Sequence, residues 1–213
     1  MAGAIDALLF DFGGVFTDSP FHAVHAYGDE LGTTAEEVTA VVFGSYEQDS
    51  DHPWHQLERG EIDFVTAREG IIEAGRARGM EVDPLELFVR MGEESDGMRQ
   101  EVVALATRVK AEGYQTAIVT NNAKEFRERW TASVPVAEIC HAIVDSSEVG
   151  IRKPDRRIYE HALEQLGGID PSRAVFVDDF PANVAAAEAL GMRGVLVEDD
   201  FAPALEELER LLR

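Results

Sequence analysis

Residues 7–12 read ALLFDF, and Gly13 and Gly14 follow them directly. Four apolar residues in succession predict a short buried strand, and the two glycines predict a tight turn immediately after it. Asp11 therefore lies where the first predicted strand of the fold ends and its turn begins.

After residue 92 the chain alternates between strand and helix patterns. Strands are predicted at residues 114–120, 142–145, 174–179 and 193–197, and helices at residues 98–112, 124–130, 154–166, 181–190 and 203–212. Alternation at this spacing is typical of a parallel sheet with helices on both faces. The predicted fold class is therefore α/β, with a Rossmann-like parallel sheet.

Residues 19–92 have a helical pattern instead and contain no convincing strand. The signals are a helix at 35–43 behind Thr33 or Thr34 as N-cap, one at 62–78 that stops at Gly79, and one opened by Asp83 and Pro84. We therefore expect an all-helical cap inserted after the first strand. The expected division is residues 1–18 and 93–213 for the Rossmann-like core and residues 19–92 for the cap.

The composition excludes several classes of partner. The chain has 213 residues, with 19 Lys and Arg against 41 Asp and Glu, which gives a net charge of −22. This acidity argues against nucleic-acid binding and against an anionic membrane surface, because both require basic residues. The single cysteine, Cys140, excludes a disulfide framework and a multi-cysteine zinc site.

The N-terminus carries no positive charge ahead of its apolar residues, since the first basic residue is Arg59. A secretory signal needs such a charged start, and no apolar run approaches the length of a membrane span. We therefore expect a cytoplasmic protein without a membrane partner. Its oligomeric state is left open.

Several predicted strands end in polar residues that can carry chemistry. These residues are Asp11, Thr120, Asn121, Asp178 and Asp179. Ligands of open parallel sheets bind outside the carboxyl ends of the strands, so these side chains are expected at one edge, with Lys153 just before a predicted helix. Oxygen ligands without a Cys or His cluster favour a hard cation such as Mg²⁺, which leaves coordination positions for water and phosphate.

Four short motifs, in order along nearly the whole chain, resemble those of the haloacid dehalogenase superfamily. They read LLFDFGGV at 8–15, IVTN at 118–121, KPD at 153–155 and VFVDDFPAN at 175–183. The resemblance is to the subgroup with a helical cap after the first motif, and within it to the phosphatase branch similar to the N-terminal domain of epoxide hydrolase. It implies a magnesium-dependent phosphatase of small phosphorylated metabolites.

The resemblance implies a role for each matching residue at the metal. Asp11 would be the nucleophile that forms an aspartyl-phosphate, and it would also bind Mg²⁺. The backbone carbonyl group of Gly13 and the carboxylate of Asp179 would be further ligands, with Asp178 beside them in the hydrogen-bond shell of the metal.

The remaining implied roles concern the phosphoryl group. Thr120 would hold it through its hydroxyl group, with help from the backbone of Asn121. Lys153 would neutralise charge between Asp11 and the phosphoryl oxygens. Covalent catalysis, a metal and a lysine together form a consistent scheme for phosphoryl transfer.

One position departs from the family pattern. Phosphatases of the family usually carry a second aspartate two residues after the nucleophile, where this chain has Gly13. That aspartate protonates the leaving group and then activates water, and such acid–base help is typically worth roughly 10²–10⁴ in rate. The carboxylic acid of the usual acid–base scheme is therefore absent from position 13 of this chain.

Two other functions are weighed against the phosphatase. A 2-haloacid dehalogenase would use Asp11 to displace halide without a metal, but it does not need the Asp178–Asp179 pair, and related dehalogenases carry an arginine early in the cap, where this chain has none before Arg59. A catalytically silent protein that binds a phospho-ligand would explain Gly13. The presence of Asp11 and Lys153 argues against it.

Other conspicuous residues are given structural interpretations. The four cap histidines are expected at the surface, and Cys140 and the two tryptophans are expected in packing roles. Asn183 is expected to brace its loop. The histidines and tryptophans are His22, His25, His52, His55, Trp54 and Trp130.

Overall fold

The computed structural model describes residues 4–19, 21–94 and 97–213, with the backbone alone at residues 21, 22, 93 and 94. Five strands form one parallel sheet in the order β3-β2-β1-β4-β5. They are β1 Ala7–Phe10, β2 Gln115–Thr120, β3 Ala142–Asp145, β4 Ala174–Asp178 and β5 Arg193–Leu196. The predicted α/β fold class with a parallel sheet is confirmed.

Helices lie between the strands and on both faces of the sheet. Within the described ranges they are α1 Phe21–Leu31, α2 Ala35–Val42, α3 Pro53–Glu58, α4 Phe64–Ala77, α5 Pro84–Glu94, α6 Gln100–Ala111, α7 Arg127–Ser133, α8 Val136–Ile139, α9 Ser146–Val149, α10 Arg156–Gln165, α11 Pro181–Leu190 and α12 Ala202–Leu211. Short 3₁₀ helices cover Lys124–Phe126 and Pro171–Arg173. Across the described ranges, every helix is too short or too polar to traverse a lipid bilayer.

Strand β1 is buried on both faces because it lies in the middle of the sheet. Leu8 and Phe10 pack in the layer that contains α6 and α12, and Ala7 and Leu9 pack in the layer that contains α10 and α11. Burying one such leucine or phenylalanine stabilises the fold by about 1.5–3 kcal/mol. This explains why the strand is a continuous apolar run, as parallel sheets require.

Helices α1–α5 follow β1 and form an apolar cluster of their own, which includes Val24, Tyr27, Trp54 and Leu87. The all-helical cap inserted after the first strand is therefore confirmed as part of the fold, while its division at residues 18/19 and 92/93 stays a prediction. The two segments that join cap and core lie side by side. Thr17 and Met98 form an isolated antiparallel bridge, and the amide of Arg99 donates to the carbonyl group of Phe16 at 2.7 Å.

The starts of the cap helices agree well with the predicted N-cap residues, whereas the lengths of the helices agree less well with the predicted ranges. Thr34 caps α2 by accepting from the amide of Glu37 at 3.2 Å, and Asp83 accepts from the amide of Leu85 at 2.9 Å at the start of α5. The helix expected at 62–78 begins only at Phe64, because Asp63 caps it. Helices α1, α3, α8 and α9 were not individually predicted, and α3, α8 and α9 have six residues or fewer, too short for a periodic pattern.

Candidate active site

Three aspartates meet at the carboxyl ends of β1 and β4. The two strands pair in parallel register, with Phe10 beside Val177, so the residues that follow them lie at the same edge of the sheet. Oxygen atoms of Asp11, Asp178 and Asp179 lie within 4.8 Å of one another. Asp11 is 9% exposed and Asp178 is completely buried. The structure thus brings together the three carboxylates that the sequence predicted at one edge.

Lys153 is the cation of this group. Its Nζ lies 2.8 Å from Asp11 Oδ1 and 2.7 Å from Asp178 Oδ2, and it lies 5.6 Å from the centre of the Phe176 ring. The Asn121 side chain holds the backbone of Lys153 from both sides, accepting from its amide at 2.8 Å and donating to its carbonyl group at 3.1 Å. We call Asp11, Asp178, Asp179 and Lys153 the carboxylate cluster.

The carboxylate of Asp178 already accepts hydrogen bonds from several donors of the protein. Its Oδ1 accepts from the amide of Phe180 at 2.8 Å, and the Asn183 side chain donates to both of its oxygens at 3.0 and 3.1 Å, in addition to the contact with Lys153. Asp179 accepts from the hydroxyl group of Ser19 at a long 3.4 Å. Asp179 is therefore better able than Asp178 to offer an oxygen to a ligand.

Asp11 is held through only one of its oxygens. Oδ1 accepts from the amide of Phe12 at 2.6 Å as well as from Lys153, whereas Oδ2 makes no hydrogen bond with any residue that the structure describes. The carboxylate is oriented, and one oxygen is left for chemistry.

The pKa values in the carboxylate cluster reflect burial together with a shortage of positive charge. Burial raises the pKa of Asp11 from its usual 3.8 to about 8, and Asp178 and Asp179 add to this effect while Lys153 opposes it. Burial, with Asp178, likewise raises the pKa of Asp179 to about 7. Burial alone would lower the pKa of Lys153, but the charges of Asp11 and Asp178 outweigh it and raise that pKa.

A divalent cation fits this donor set. Among the described residues, two buried carboxylates and the half-buried Asp179 face one lysine. One or two further positive charges would therefore make their ionised forms favourable. The set consists of oxygen atoms only, which is the chemistry of a hard cation.

The two glycines after Asp11 differ in the space around them. A Cβ atom on Gly14 would lie 1.9 Å from Asp179 Oδ2, and Gly14 has a φ of +72°. Gly13 lies outside the left-handed region, and a Cβ atom there would have no neighbour within 4 Å. Gly14 is therefore required by the close approach of Asp179, whereas position 13 has room for a side chain.

Thr120 and Asn121 lie at the end of β2, next to β1. Thr120 is 4% exposed, and its hydroxyl group donates to the carbonyl oxygen of Asn121 at 3.4 Å. The role of the Asn121 side chain in holding Lys153 was not predicted. The signal in the sequence for a role of Asn121 at the site is that it directly follows Thr120 at the end of the predicted strand.

A second ionic group, the cap-side cluster, lies where the cap meets the loop before Lys153. It comprises Asp49, Glu58, Arg59 and Arg152. Arg152 Nε donates to Glu58 Oε2 at 2.7 Å, Arg152 Nη1 lies 3.8 Å from Asp49 Oδ1, and Arg59 pairs with Asp49. This cluster was not predicted from the sequence, although Arg152 directly precedes the lysine of the third motif.

The cap also contacts the motif that carries Asp179. The ring of Tyr46 lies 4.7 Å from the ring of Phe180, centre to centre. Burial raises the pKa of Tyr46 well above its usual value, and the charges of Glu58, Asp179 and Asp11 raise it too while Arg152 lowers it. Tyr46 is therefore close enough to both ionic clusters for their charges to act on its pKa.

The cap histidines have different environments. His25 is exposed, as expected, and the side chain of His22 lies outside the described residues. His52 Nδ1 accepts from the amide of Trp54 at 3.1 Å and caps α3. The expectation of a surface position is wrong for His55, which is completely buried; burial and the charge of Arg152 lower its pKa to about 3. At neutral pH the His55 ring carries no charge.

The other structural interpretations are confirmed. Cys140, Trp54 and Trp130 are 6%, 7% and 8% exposed and pack in apolar clusters. Trp54 also donates to Glu58 Oε1 at 2.8 Å, and Asn183 braces its loop through Asp178.

Comparison with known proteins identifies a matching family model and several relatives. A family model described as haloacid dehalogenase-like hydrolase matches residues 5–191. Acyl-CoA dehydrogenase family member 10 of Mus musculus is 32% identical over 97% of this chain, but the chain spans only 19% of that protein. Sesquiterpene phosphatase astK of Aspergillus oryzae is 28% identical over 97% of this chain and 96% of its own length.

Solved structures share the fold. A HAD family enzyme from Bacteroides thetaiotaomicron, in complex with magnesium and inorganic phosphate, matches with a TM-score of 0.64 at 21% identity, over 94% of this chain and 98% of that chain. Solved dehalogenases match with TM-scores of 0.60–0.67 at 19–23% identity, so the fold alone does not separate the two reactions. The family match over residues 5–191 decides the classification: this chain belongs to the haloacid dehalogenase-like hydrolases.

Proposed function

We propose that the chain is a magnesium-dependent phosphatase of small phosphorylated metabolites, acting through an aspartyl-phosphate on Asp11. The observation that carries this proposal is the imbalance of the carboxylate cluster, where three carboxylates lie within 4.8 Å of one another beside one lysine. A dehalogenase that works without a metal has no use for Asp178 and Asp179 in such an arrangement.

Asp11 would begin the reaction. Its carboxylate oxygen attacks the phosphorus of the substrate, the bond between phosphorus and the ester oxygen breaks, and the leaving oxygen takes up a proton. Water then attacks the phosphorus of the aspartyl-phosphate and releases inorganic phosphate and free Asp11. The contacts that Phe12 and Lys153 make with Oδ1 would keep the carboxylate oriented in both steps.

Asp11, Asp179 and the carbonyl group of Gly13 would hold Mg²⁺, with Asp178 in the surrounding hydrogen-bond shell. When bound, the ion supplies positive charge against the phosphoryl oxygens. Lys153 adds its own charge there, and Asn121 keeps Lys153 in place. Thr120 would donate its hydroxyl hydrogen to a phosphoryl oxygen, with the backbone of Asn121 beside it.

No carboxylic acid at position 13 can supply the proton for the leaving oxygen, because the residue there is glycine. The proposed enzyme therefore depends on leaving groups that depart easily, such as aryl, acyl or anomeric sugar phosphates.

A phosphate-release assay tests the proposal. The protein is incubated with a panel of phosphate esters in Mg²⁺ and in excess chelator, and chloride release from 2-chloropropionate is measured in parallel. We expect phosphate release that requires Mg²⁺, with no chloride release. Chloride release that persists in chelator would favour the dehalogenase, and neither activity would favour the silent binding protein.

A further inference from the structure

The guanidinium group of Arg152 is buried at the border between cap and core. The residue is 1% exposed, and its Nε is satisfied by Glu58, which Trp54 in turn holds through a hydrogen bond of 2.8 Å. Arg152 therefore has a fixed orientation, set from the cap side by one carboxylate.

The two terminal nitrogens of this group have no hydrogen-bond partner. This holds for Nη1 and Nη2 against all residues in the ranges 4–19, 21–94 and 97–213. Asp49 Oδ1 approaches Nη1 only to 3.8 Å. A buried donor without an acceptor is costly, so a fixed guanidinium group with two such nitrogens is suited to an acceptor that arrives with a ligand.

Because Arg152 lies beside Lys153 in the chain, an acceptor bound to it would lie near the proposed site of reaction at Asp11. The residue precedes Lys153, whose Nζ contacts Asp11. The ring of Tyr46 packs against Phe180, the residue after Asp179, and the charges of Arg152 and Asp11 both act on the pKa of Tyr46. A phosphate ester at Asp11 would extend its leaving group from the edge of the sheet towards the cap. Arg152 lies at the border that such a leaving group would reach.

The charge around Arg152 indicates the kind of acceptor. Glu58 and Asp49 supply two negative charges against Arg152 and Arg59, so the four residues of the cap-side cluster are balanced among themselves, and Glu61, which also pairs with Arg59, is half exposed and adds no positive charge. The neighbouring carboxylate cluster adds further negative charge. An uncharged oxygen therefore suits the free nitrogens better than a second anionic group.

We propose that Arg152 is a specificity-determining residue that donates from its terminal nitrogens to a hydroxyl or carbonyl oxygen on the leaving group of the substrate. This inference rests on the proposed phosphatase function. It defines the substrate class as esters of polyhydroxy or carbonyl compounds, rather than esters of purely apolar alcohols.

The test compares three aryl phosphates whose leaving groups have similar acidity, carrying a methyl, a hydroxymethyl or a carboxylate substituent at the meta position. The wild type is expected to show a kcat/KM for the hydroxymethyl ester roughly 10-fold above that for the methyl ester, the range of a hydrogen bond to a charged donor. The carboxylate ester is expected to fall below the hydroxymethyl ester, and a preference for the carboxylate would overturn the proposal.

Two variants remove the free nitrogens without leaving a buried charge unpaired. Arg152→Lys keeps a cation for Glu58, and the double variant Arg152→Met with Glu58→Gln removes both charges. In each folded variant the ratio of the two kcat/KM values should fall close to one. Arg59→Lys is the matched control, because Arg59 belongs to the same cluster but pairs with Asp49 and Glu61, and the ratio should be kept.

The outcomes separate this inference from the proposed function. Equal hydrolysis of the methyl and hydroxymethyl esters by the wild type would overturn the inference and leave the phosphatase standing. No hydrolysis of any ester in Mg²⁺ would overturn both. Even if neither Arg152 variant folds, a wild-type ratio near one or a preference for the carboxylate ester would overturn the inference.

Discussion

The carboxylate cluster and the cap-side cluster adjoin each other through Lys153 and Arg152, yet they differ in charge balance. The first sets three carboxylates, two of them buried, against one lysine, and the second sets two carboxylates against two arginines. An unbalanced buried group is unstable by itself and marks a place where a cation or a reacting group belongs. A balanced group with unused donors is suited to recognition instead.

The largest expected effect comes from the centre of the unbalanced cluster. Asp11→Asn keeps the shape of the side chain but removes the attacking carboxylate, so turnover should fall by roughly 10³-fold or more. Phosphate release and a thermal melt are the two measurements, and the variant should remain folded. Beryllium fluoride should raise the melting temperature of the wild type only. Turnover above a few per cent would mean that Asp11 is not the nucleophile.

The next effect concerns the open space at position 13. Gly13→Asp restores the acid at a site where a Cβ atom meets no neighbour, so it should raise the rate for alkyl phosphates by about 10²-fold or more. Aryl phosphates should gain much less, because their leaving groups need the proton less.

Gly13→Asn is the matched control for this change, since it has the same shape without the acid. The measurement is kcat/KM across a series of leaving groups. A folded Gly13→Asp protein with the same leaving-group dependence as the wild type would refute the missing-acid argument.

Substitutions at the two neighbouring aspartates are expected to affect different quantities, the Mg²⁺ affinity in one case and mainly the free energy of unfolding in the other. Asp179→Asn is expected to weaken Mg²⁺ affinity by roughly 10-fold or more. Asp178→Asn should weaken it less but lower the free energy of unfolding by about 3–5 kcal/mol, because it breaks the buried pair with Lys153. Titration calorimetry and denaturant melts measure the two quantities, and the reverse ranking would show that the roles are exchanged.

The smallest expected effect is a pH dependence confined to the unbalanced cluster. With no cation bound, Asp11 and Asp179 have pKa values of about 8 and about 7, above the usual 3.8. The folded protein then holds protons that the unfolded chain releases, so the free energy of unfolding falls as pH rises from about 4 to about 8.

Mg²⁺ replaces those protons, and its stabilising effect should therefore grow across the same range. Melting temperatures in chelator and in Mg²⁺, at about pH 5 and about pH 8, measure it, with an expected difference of a few degrees. The slope should shrink in Asp179→Asn and stay unchanged in Arg59→Lys. A magnesium effect that is flat with pH would contradict the raised pKa values.

The sequence predicted the carboxylate cluster because its members follow strands or precede a helix, and parallel register brings such positions to one edge. It could not predict that Asp178 is saturated by Phe180, Asn183 and Lys153, since those contacts depend on how one loop closes. The cap-side cluster was missed for a different reason. Glu58 and Arg152 are 94 residues apart, and only the placement of the cap on the core brings them together.

The bridge between Thr17 and Met98 has a consequence for how this architecture can change. The chain enters the cap and leaves it at almost the same point, so the intervening helices form a cassette whose two ends are already adjacent. A short turn could join those ends, and a longer or shorter insert would cost little additional loop-closure entropy. Replacing the cassette would therefore replace Glu58, which orients Arg152, while Asp11 and its partners keep their places on the sheet.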